Sequence, residues 1–248
     1  MFNFSKTFSL FLLACALWFS SGCYAQQGNT AVDTLNSSPK GASAAPLSAA
    51  YPNVKFTTTA GDFVVELYPD KAPKTVANFL QYVKDKHYNG TIFHRVINEF
   101  MVQGGGFDAN YVQKKTRPPV PHEGRQALLA GGSKNLSGTL AMARTDDPNS
   151  ATAQFFINVR DNSNLDPVII PPGDPVPLIE IQGRAYTNVS RAQLERLNQL
   201  YGYTVFGRVI SGMDTVDKIK LLPTGPGGPF RTDVPQPAVT ILSATLIQ

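Results

Sequence analysis

Residues 93–107 read Phe-His-Arg-Val-Ile-Asn-Glu-Phe-Met-Val-Gln-Gly-Gly-Gly-Phe. This run constrains the fold more than any other stretch. It alternates side chains with the period of two that an extended strand uses. The alternation predicts His94, Val96 and Asn98 on one face, and Phe93, Arg95 and Ile97 on the other. Phe100, Met101 and Gln103 follow at once. An arginine, two large pliable apolar groups and an amide can thus line one concave surface. The glycines at 104–106 let the backbone turn, or let another group approach it closely.

Similar short segments recur along the chain. Residues 54–58 and 62–68 read as two strands joined at Ala60-Gly61. Pro73 opens a helix whose Val76, Phe79, Leu80 and Val83 share one face. That helix ends near Lys86, ahead of the turn signal Asn89-Gly90. Further strands are expected at 92–97, 100–103, 138–143, 154–158 and 204–209. A second helix is expected at 212–220, with Met213, Val216 and Ile219 inward. Many short strands with two helices point to a closed barrel with helical caps. No internal repeat is present.

A second informative stretch runs over 137–159. Its Leu-Ala-Met-Ala-Arg (140–144) and Gln-Phe-Phe-Ile-Asn (154–158) segments accompany Asn164-Leu165-Asp166 and Tyr203-Thr204-Val205-Phe206-Gly207-Arg208-Val209 further on. Together with 93–107, these segments resemble the pocket-lining signature of the cyclophilin family of peptidyl-prolyl cis-trans isomerases, in the family's order. The resemblance runs from about Val54 to Gln248. It implies a mainly β fold, an eight-stranded antiparallel barrel with one helix over each end. It also implies isomerisation of X-Pro peptide bonds, with proline-containing polypeptides as substrates and no cofactor. Arg95 would be the catalytic donor, and Gln103 would orient it and bond a substrate carbonyl. Phe100, Met101, Phe156 and Leu165 would form the proline pocket. Ala143 and Arg144 would offer backbone groups to the substrate chain, Gln154 would lie at the pocket edge, and Tyr203 would supply an aromatic wall. Phe155 should face the core instead, because neighbours in a strand face opposite ways.

The chemistry suits these residue types. Rotation about X-Pro is slow because resonance gives the C–N bond double-bond character. Twisting removes that resonance and leaves a lone pair on the prolyl nitrogen. A fixed guanidinium can donate to that lone pair only in the twisted state, and it needs no pKa tuning to do so. Two positions depart from the family pattern: Asn164 stands where many members have tryptophan, and Tyr203 where histidine is common. The first puts tight binding of cyclosporin-type ligands in doubt.

Some 36 residues separate Asp166 from Tyr203 where the family has a short loop, which sets off an insertion over 167–202. Residues 167–177 are proline-rich and expected to be extended. Residues 190–200 look helical, with Ser190 as N-cap and Leu194, Leu197 and Leu200 at a helical period. The segment has too few apolar groups for a core of its own. It either covers or lengthens the groove, or packs outside the barrel to no catalytic effect.

The N-terminus carries a different message. Lys6 precedes a nearly continuous apolar run at 8–19, shorter than the roughly 20 residues that span a bilayer. Residues 1–25 therefore read as a secretory signal. Cleavage after Ala25 competes with lipoprotein-type processing before Cys23, which would lipidate Cys23; Ser20 departs from the usual leucine of that signal. Residues 26–52 are rich in small and polar types and read as a flexible linker ahead of a domain at 53–248. The reading is an exported, periplasmic, monomeric protein, touching membrane only through a lipidated Cys23.

Other functions find little support. The net charge of +4 is mild and spread along the chain, which gives no argument for nucleic acid. Both cysteines, Cys15 and Cys23, lie in the signal segment, so the domain has no disulfide or thiolate site. His87, His94 and His122 lack ligand-pair spacing, so no metal is expected. No phosphate-loop or nucleophile-elbow motif occurs. The rival to an isomerase is a peptide-binding scaffold that uses the same groove with little turnover.

Overall fold

The computed structural model describes residues 51–247 apart from Gln182. The expected signal segment, the linker up to residue 50 and Cys23 lie outside the described residues. Twelve strands and four α-helices follow along the described chain.

β1 (Asn53–Thr58) and β2 (Gly61–Leu67) alternate buried and open positions, and Val54, Phe56, Phe63, Val65 and Leu67 enter the core. The Thr58 hydroxyl closes the turn, donating to the Gly61 carbonyl at 2.6 Å and accepting from the Ala60 N–H at 3.1 Å. Then come α1 (Pro73–Lys84), β3 (Thr91–Ile97), β4 (Met101–Asp108), α2 (Gly124–Leu129), β5 (Thr139–Met142) and β6 (Phe155–Asn158). The chain continues through β7 (Val176–Ile181), β8 (Arg184–Val189), α3 (Arg191–Glu195), β9 (Val205–Ser211) and α4 (Met213–Lys220). It ends with β10 (Thr224–Gly227), β11 (Phe230–Pro235) and β12 (Val239–Ile247).

Eight strands close a barrel in the order β1-β12-β3-β4-β6-β5-β9-β2, with every neighbour antiparallel. The expected eight-stranded barrel is therefore present. Its eighth strand is β12, a C-terminal segment that the sequence reading passed over. The two long helices sit at opposite ends. Leu67 of β2 pairs with Gly207, and α1 follows that end; Val64 pairs with Ser211, and α4 follows the other. Helix α1 buries Val76, Phe79, Tyr82 and Val83. Its N-terminal N–H groups find a partner far away in sequence: the buried Glu123 carboxylate accepts from Lys74 N at 3.1 Å and Thr75 N at 2.8 Å.

The core is aromatic. Phe56 stacks on Phe63 with ring centroids 4.9 Å apart, and Phe79 meets Phe206 at 5.0 Å and Phe155 at 5.8 Å. Phe155 is fully buried there, as strand parity requires.

The expected faces of β3 need correction. Phe93 and Val96 both enter the core, while His94 lies buried on another side and Arg95 is exposed. The register against β4 shifts between Phe93 and Arg95, so an extra residue in β3 breaks the alternation.

The insertion also differs from expectation. Its middle is a hairpin of β7 and β8, with Val176 opposite Val189 and Ile181 opposite Arg184. The expected helix at 190–200 is split into α3 and a 3₁₀ turn at Asn198–Tyr201, and Leu197 at the break is exposed. Ser190 makes no side-chain cap; the Asp174 carboxylate accepts from Arg191 N at 3.1 Å instead. The segment does own a small core, of Val176, Ile179, Ile181, Leu194 and Leu200 with Val168, Ile170 and Val189 against it. The hairpin supplies the apolar groups that the leucine count alone lacked.

Candidate active site

Strand register builds the site. Arg95 stands opposite Gln103, Gln103 opposite Phe156, Phe156 opposite Ala141, and Ala141 opposite Val205. One row thus crosses β3, β4, β6, β5 and β9. Its neighbours along those strands (Val102, Leu140, Met142, Phe155, Ile157 and Phe206) point into the barrel core. The row therefore faces outward by strand parity. Met101, Ala141, Phe156 and Val205 form a separate apolar cluster there, joined by Ile97, Phe100, Ala143, Leu165 and Tyr203.

A cavity of about 160 Å³ opens over this cluster, lined by Arg95, Phe100, Met101, Gln103, Ala143, Arg144, Phe156, Leu165 and Tyr203. These are the residues expected from the sequence, save Gln154. Gln154 is one bond away: the Gln103 side-chain amide donates to its Oε1 at 3.0 Å. Gly106 makes room for it, since a Cβ there would stand 2.6 Å from the Gln154 side chain. Gly105 has φ of +84°, and a Cβ on it would meet Tyr88 and Phe155. The glycine run is thus used both for its conformation and for close approach.

Arg95 lies at the pocket rim, held by the bulge and by β11. Its Nε is 3.8 Å from Asp233 Oδ2, in a half-exposed ion pair. Among the described residues, no hydrogen bond engages its guanidinium. Asp233 has φ of 69°, a left-handed conformation that aspartate tolerates better than most residues. Beside Arg95, His94 is buried against Phe107 and Phe230, with ring centroids at 4.8 and 5.2 Å. Burial holds its pKa down to about 4, so the ring is neutral near pH 7.

The far wall is pinned by buried amides that sequence reasoning did not single out. Asn162 Nδ2 donates to the Phe100 carbonyl at 2.8 Å and to Asn158 Oδ1 at 2.7 Å. Asn158 Nδ2 donates to Thr139 Oγ1 and Asn135 Oδ1, and Asn135 Nδ2 donates to the Leu165 carbonyl at 3.0 Å. This chain ties two pocket residues, Phe100 and Leu165, to the barrel. A polar residue ending the apolar strand Phe155–Asn158 was the only local signal.

Arg144 is locked as well. Its Nε donates to the Gly202 carbonyl at 3.0 Å, and the guanidinium lies 4.7 Å over the Tyr203 ring. One expected backbone donor is already used: Ala143 N–H donates to the Gln154 carbonyl at 3.0 Å. Strand continuation past β5 consumes it. Asn164 lies outside the proline-sized cavity, in an adjoining groove.

Comparison with known proteins gives a consistent picture. A family profile described as cyclophilin type peptidyl-prolyl cis-trans isomerase matches residues 53–246. Peptidyl-prolyl cis-trans isomerase B of Escherichia coli is 47% identical over 193 residues, covering 78% of this chain and 98% of that one. A peptidyl-prolyl cis-trans isomerase of Streptomyces antibioticus is 44% identical over 194 residues, covering 78% and 98%. The crystal structure of a cyclophilin type isomerase from Cryptosporidium parvum shares the fold at 20% identity and a TM-score of 0.53, covering 80% of this chain and 98% of that one. By barrel, by pocket row and by sequence, this chain belongs to the cyclophilin-type peptidyl-prolyl cis-trans isomerases, enzymes that isomerise X-Pro peptide bonds.

Proposed function

We propose that this isomerase works by seating proline on Phe100, Met101, Phe156 and Leu165 while Arg95 donates to the prolyl nitrogen of the twisted bond. The observation that carries this reading is the outward row Arg95–Gln103–Phe156–Ala141, which puts a guanidinium and an amide beside an apolar cavity. Gln154 holds Gln103, and Asp233 pairs with Arg95 at long range while no hydrogen bond ties up the guanidinium, which keeps its donors for substrate. The Ala143 carbonyl and the Arg144 N–H would receive the extended peptide. A charge-assisted hydrogen bond contributes on the order of 1.5–3 kcal/mol. Each ~1.4 kcal/mol is tenfold in rate, so Arg95 accounts for roughly ten- to a hundredfold. The remainder comes from holding the twisted bond in an apolar, partly dry site.

The setting follows from the N-terminus. The basic, apolar and small-residue order of residues 1–25 supports export, and the low-complexity stretch to residue 52 supports a tether of roughly 25–30 Å. The substrates are then proteins folding outside the cytoplasm, and the enzyme acts as a monomer held to membrane if Cys23 is lipidated. The mature N-terminus, read by mass spectrometry of the exported protein, tests this: a free Gln26 on soluble protein excludes the lipid anchor. For the chemistry, the test is direct exchange spectroscopy on an Ala-Pro peptide. Binding without accelerated exchange would leave only a scaffold.

A further inference from the structure

We propose that the insertion extends the substrate site, forming a groove that takes residues flanking the proline and favours acidic ones. This inference rests on the proline-pocket reading above. The groove adjoins the proline cavity and shares Arg144 and Tyr203 with it. Its volume is about 470 Å³. Arg144, Asn164 and Tyr203 form its barrel side; Arg196, Asn198 and Gln199 from the insertion form the other. A polypeptide whose proline fills the small cavity has neighbours that must leave along the surface, and this groove is one exit from it. Side-chain amides on both walls suit an extended backbone, which presents one donor and one acceptor per residue.

The groove is preformed. Two backbone bonds close the neck of the insertion, Val168 N to the Leu200 carbonyl and Tyr203 N to the Leu165 carbonyl, each at 2.9 Å. Arg125 Nε donates to the Val168 carbonyl at 2.9 Å, and its guanidinium lies 4.5 Å over the Tyr201 ring. The Gly202 carbonyl is held by Arg144 and lies 3.3 Å from His122 Nε2. Gly202 has φ of +60°, and a Cβ there would stand 2.4 Å from Pro167 N. The two arms of the neck therefore pack directly on each other, and Arg125, Arg144 and His122 tie them to the rest of the fold.

Charge sets the preference. The groove holds two arginines against one carboxylate, Asp146. Arg144 spends its guanidinium on the Gly202, Thr145 and Asp146 carbonyls. Arg196 is exposed and, among the described residues, has no ion-pair partner. It is the cation free to meet a substrate carboxylate.

The experiment uses eight-residue peptides around a central Ala-Pro, with Glu or Lys in the two positions before or after that pair. Exchange spectroscopy gives kcat/KM and titration gives Kd. On one flank the Glu peptide should exceed the Lys peptide by roughly two- to fivefold, the size of an exposed ion pair, and the gain should shrink in high salt. Arg196→Glu should reverse the order. The Glu-to-Lys ratio is internally normalised, so a general loss in the variant leaves it readable. Equal values on both flanks, or a preference that survives Arg196→Glu, overturns the proposal. If the unmodified protein fails on an Ala-Pro tetrapeptide, the catalytic reading fails; the Kd ratio still decides the groove.

Discussion

The barrel wall and the insertion solve the same problem at different scales. The wall buries one face of each strand in an aromatic core of Phe56, Phe63, Phe79, Phe93, Phe155 and Phe206, and spends the other face on the site. The insertion closes on five aliphatic side chains and three partial neighbours, and β8 is exposed along nearly its whole length. The comparison teaches where rigidity resides. Pocket residues on the wall inherit the stability of the whole barrel. Groove residues on the insertion depend on a small local core and on the neck. Local openings follow low burial, so the insertion should open well before the barrel does.

Core truncations draw the contrast most sharply. Phe155→Ala should cost about 3–5 kcal/mol of global stability, the usual range for a buried aromatic, and lower the denaturant midpoint of the whole domain. Leu194→Ala should cost about 2–4 kcal/mol, but only to the insertion. Hydrogen exchange should then quicken over 176–200 while the barrel strands stay protected, with most tetrapeptide turnover retained. Simultaneous loss of protection in the barrel would show that the two regions are one cooperative unit.

Arg95→Ala should lower kcat/KM ten- to a hundredfold with the melting temperature nearly unchanged, corresponding to ~1.4–2.7 kcal/mol. Arg95→Lys should recover little of this, because lysine keeps the charge and loses the planar fork. Wild-type turnover in the lysine variant would remove Arg95 from the mechanism.

Acid should weaken both regions through buried histidines, of which His94 and His122 are the most strongly shifted. His94 in the wall and His122 at the neck are held near pKa 4 by burial, against about 6.5 in the unfolded chain. The unfolded state then binds more protons between about pH 6.5 and 4, so stability is complete above that window and falls as pH drops through it. Each histidine should remove about 1.4 kcal/mol by pH 5.5. In denaturant titrations, His122→Gln should shrink that slope; an unchanged slope would mean that His122 titrates normally. Because no proton transfer is proposed, kcat/KM should stay nearly flat from about pH 6 to 9.

The smallest effect is expected at Asp233. Its ion pair to Arg95 is long and half-exposed, so Asp233→Asn should cost only about 1.5- to fivefold in kcat/KM. The loss should fall on kcat more than KM if Asp233 aims the guanidinium. A tenfold loss would make β11 a principal part of the site.

Much of the barrel was legible because its strands carry local signals. Period-two burial in β1 and β2, the Gly-Gly-Gly run and the turn residues all report on neighbours one or two positions away. The cavity-lining residues were named through the family resemblance, and parity adds one local signal: it sends Phe155 inward and Phe156 outward, whatever the partner strand. The hairpin of β7 and β8 was not legible. Its second strand reads Arg-Ala-Tyr-Thr-Asn-Val and is exposed almost throughout, so no alternation marks it.

The sequence by itself determined the periodicities, the turns, the family and, through the family resemblance, most of the residues that line the cavity. Only the tertiary structure decided how that inventory is aimed. A one-residue bulge moved Arg95 out of phase with Phe93 and brought it opposite Gln103. Glu123 caps α1 from 49 residues away, and Asn162, Asn158 and Asn135 tie Phe100 and Leu165 to the barrel. Asp233 reaches Arg95 from a hairpin more than a hundred residues later in the chain. The reason is physical. Hydrophobic period is set by local backbone geometry, whereas a buried polar group takes whichever partner closure of the chain brings within hydrogen-bonding distance.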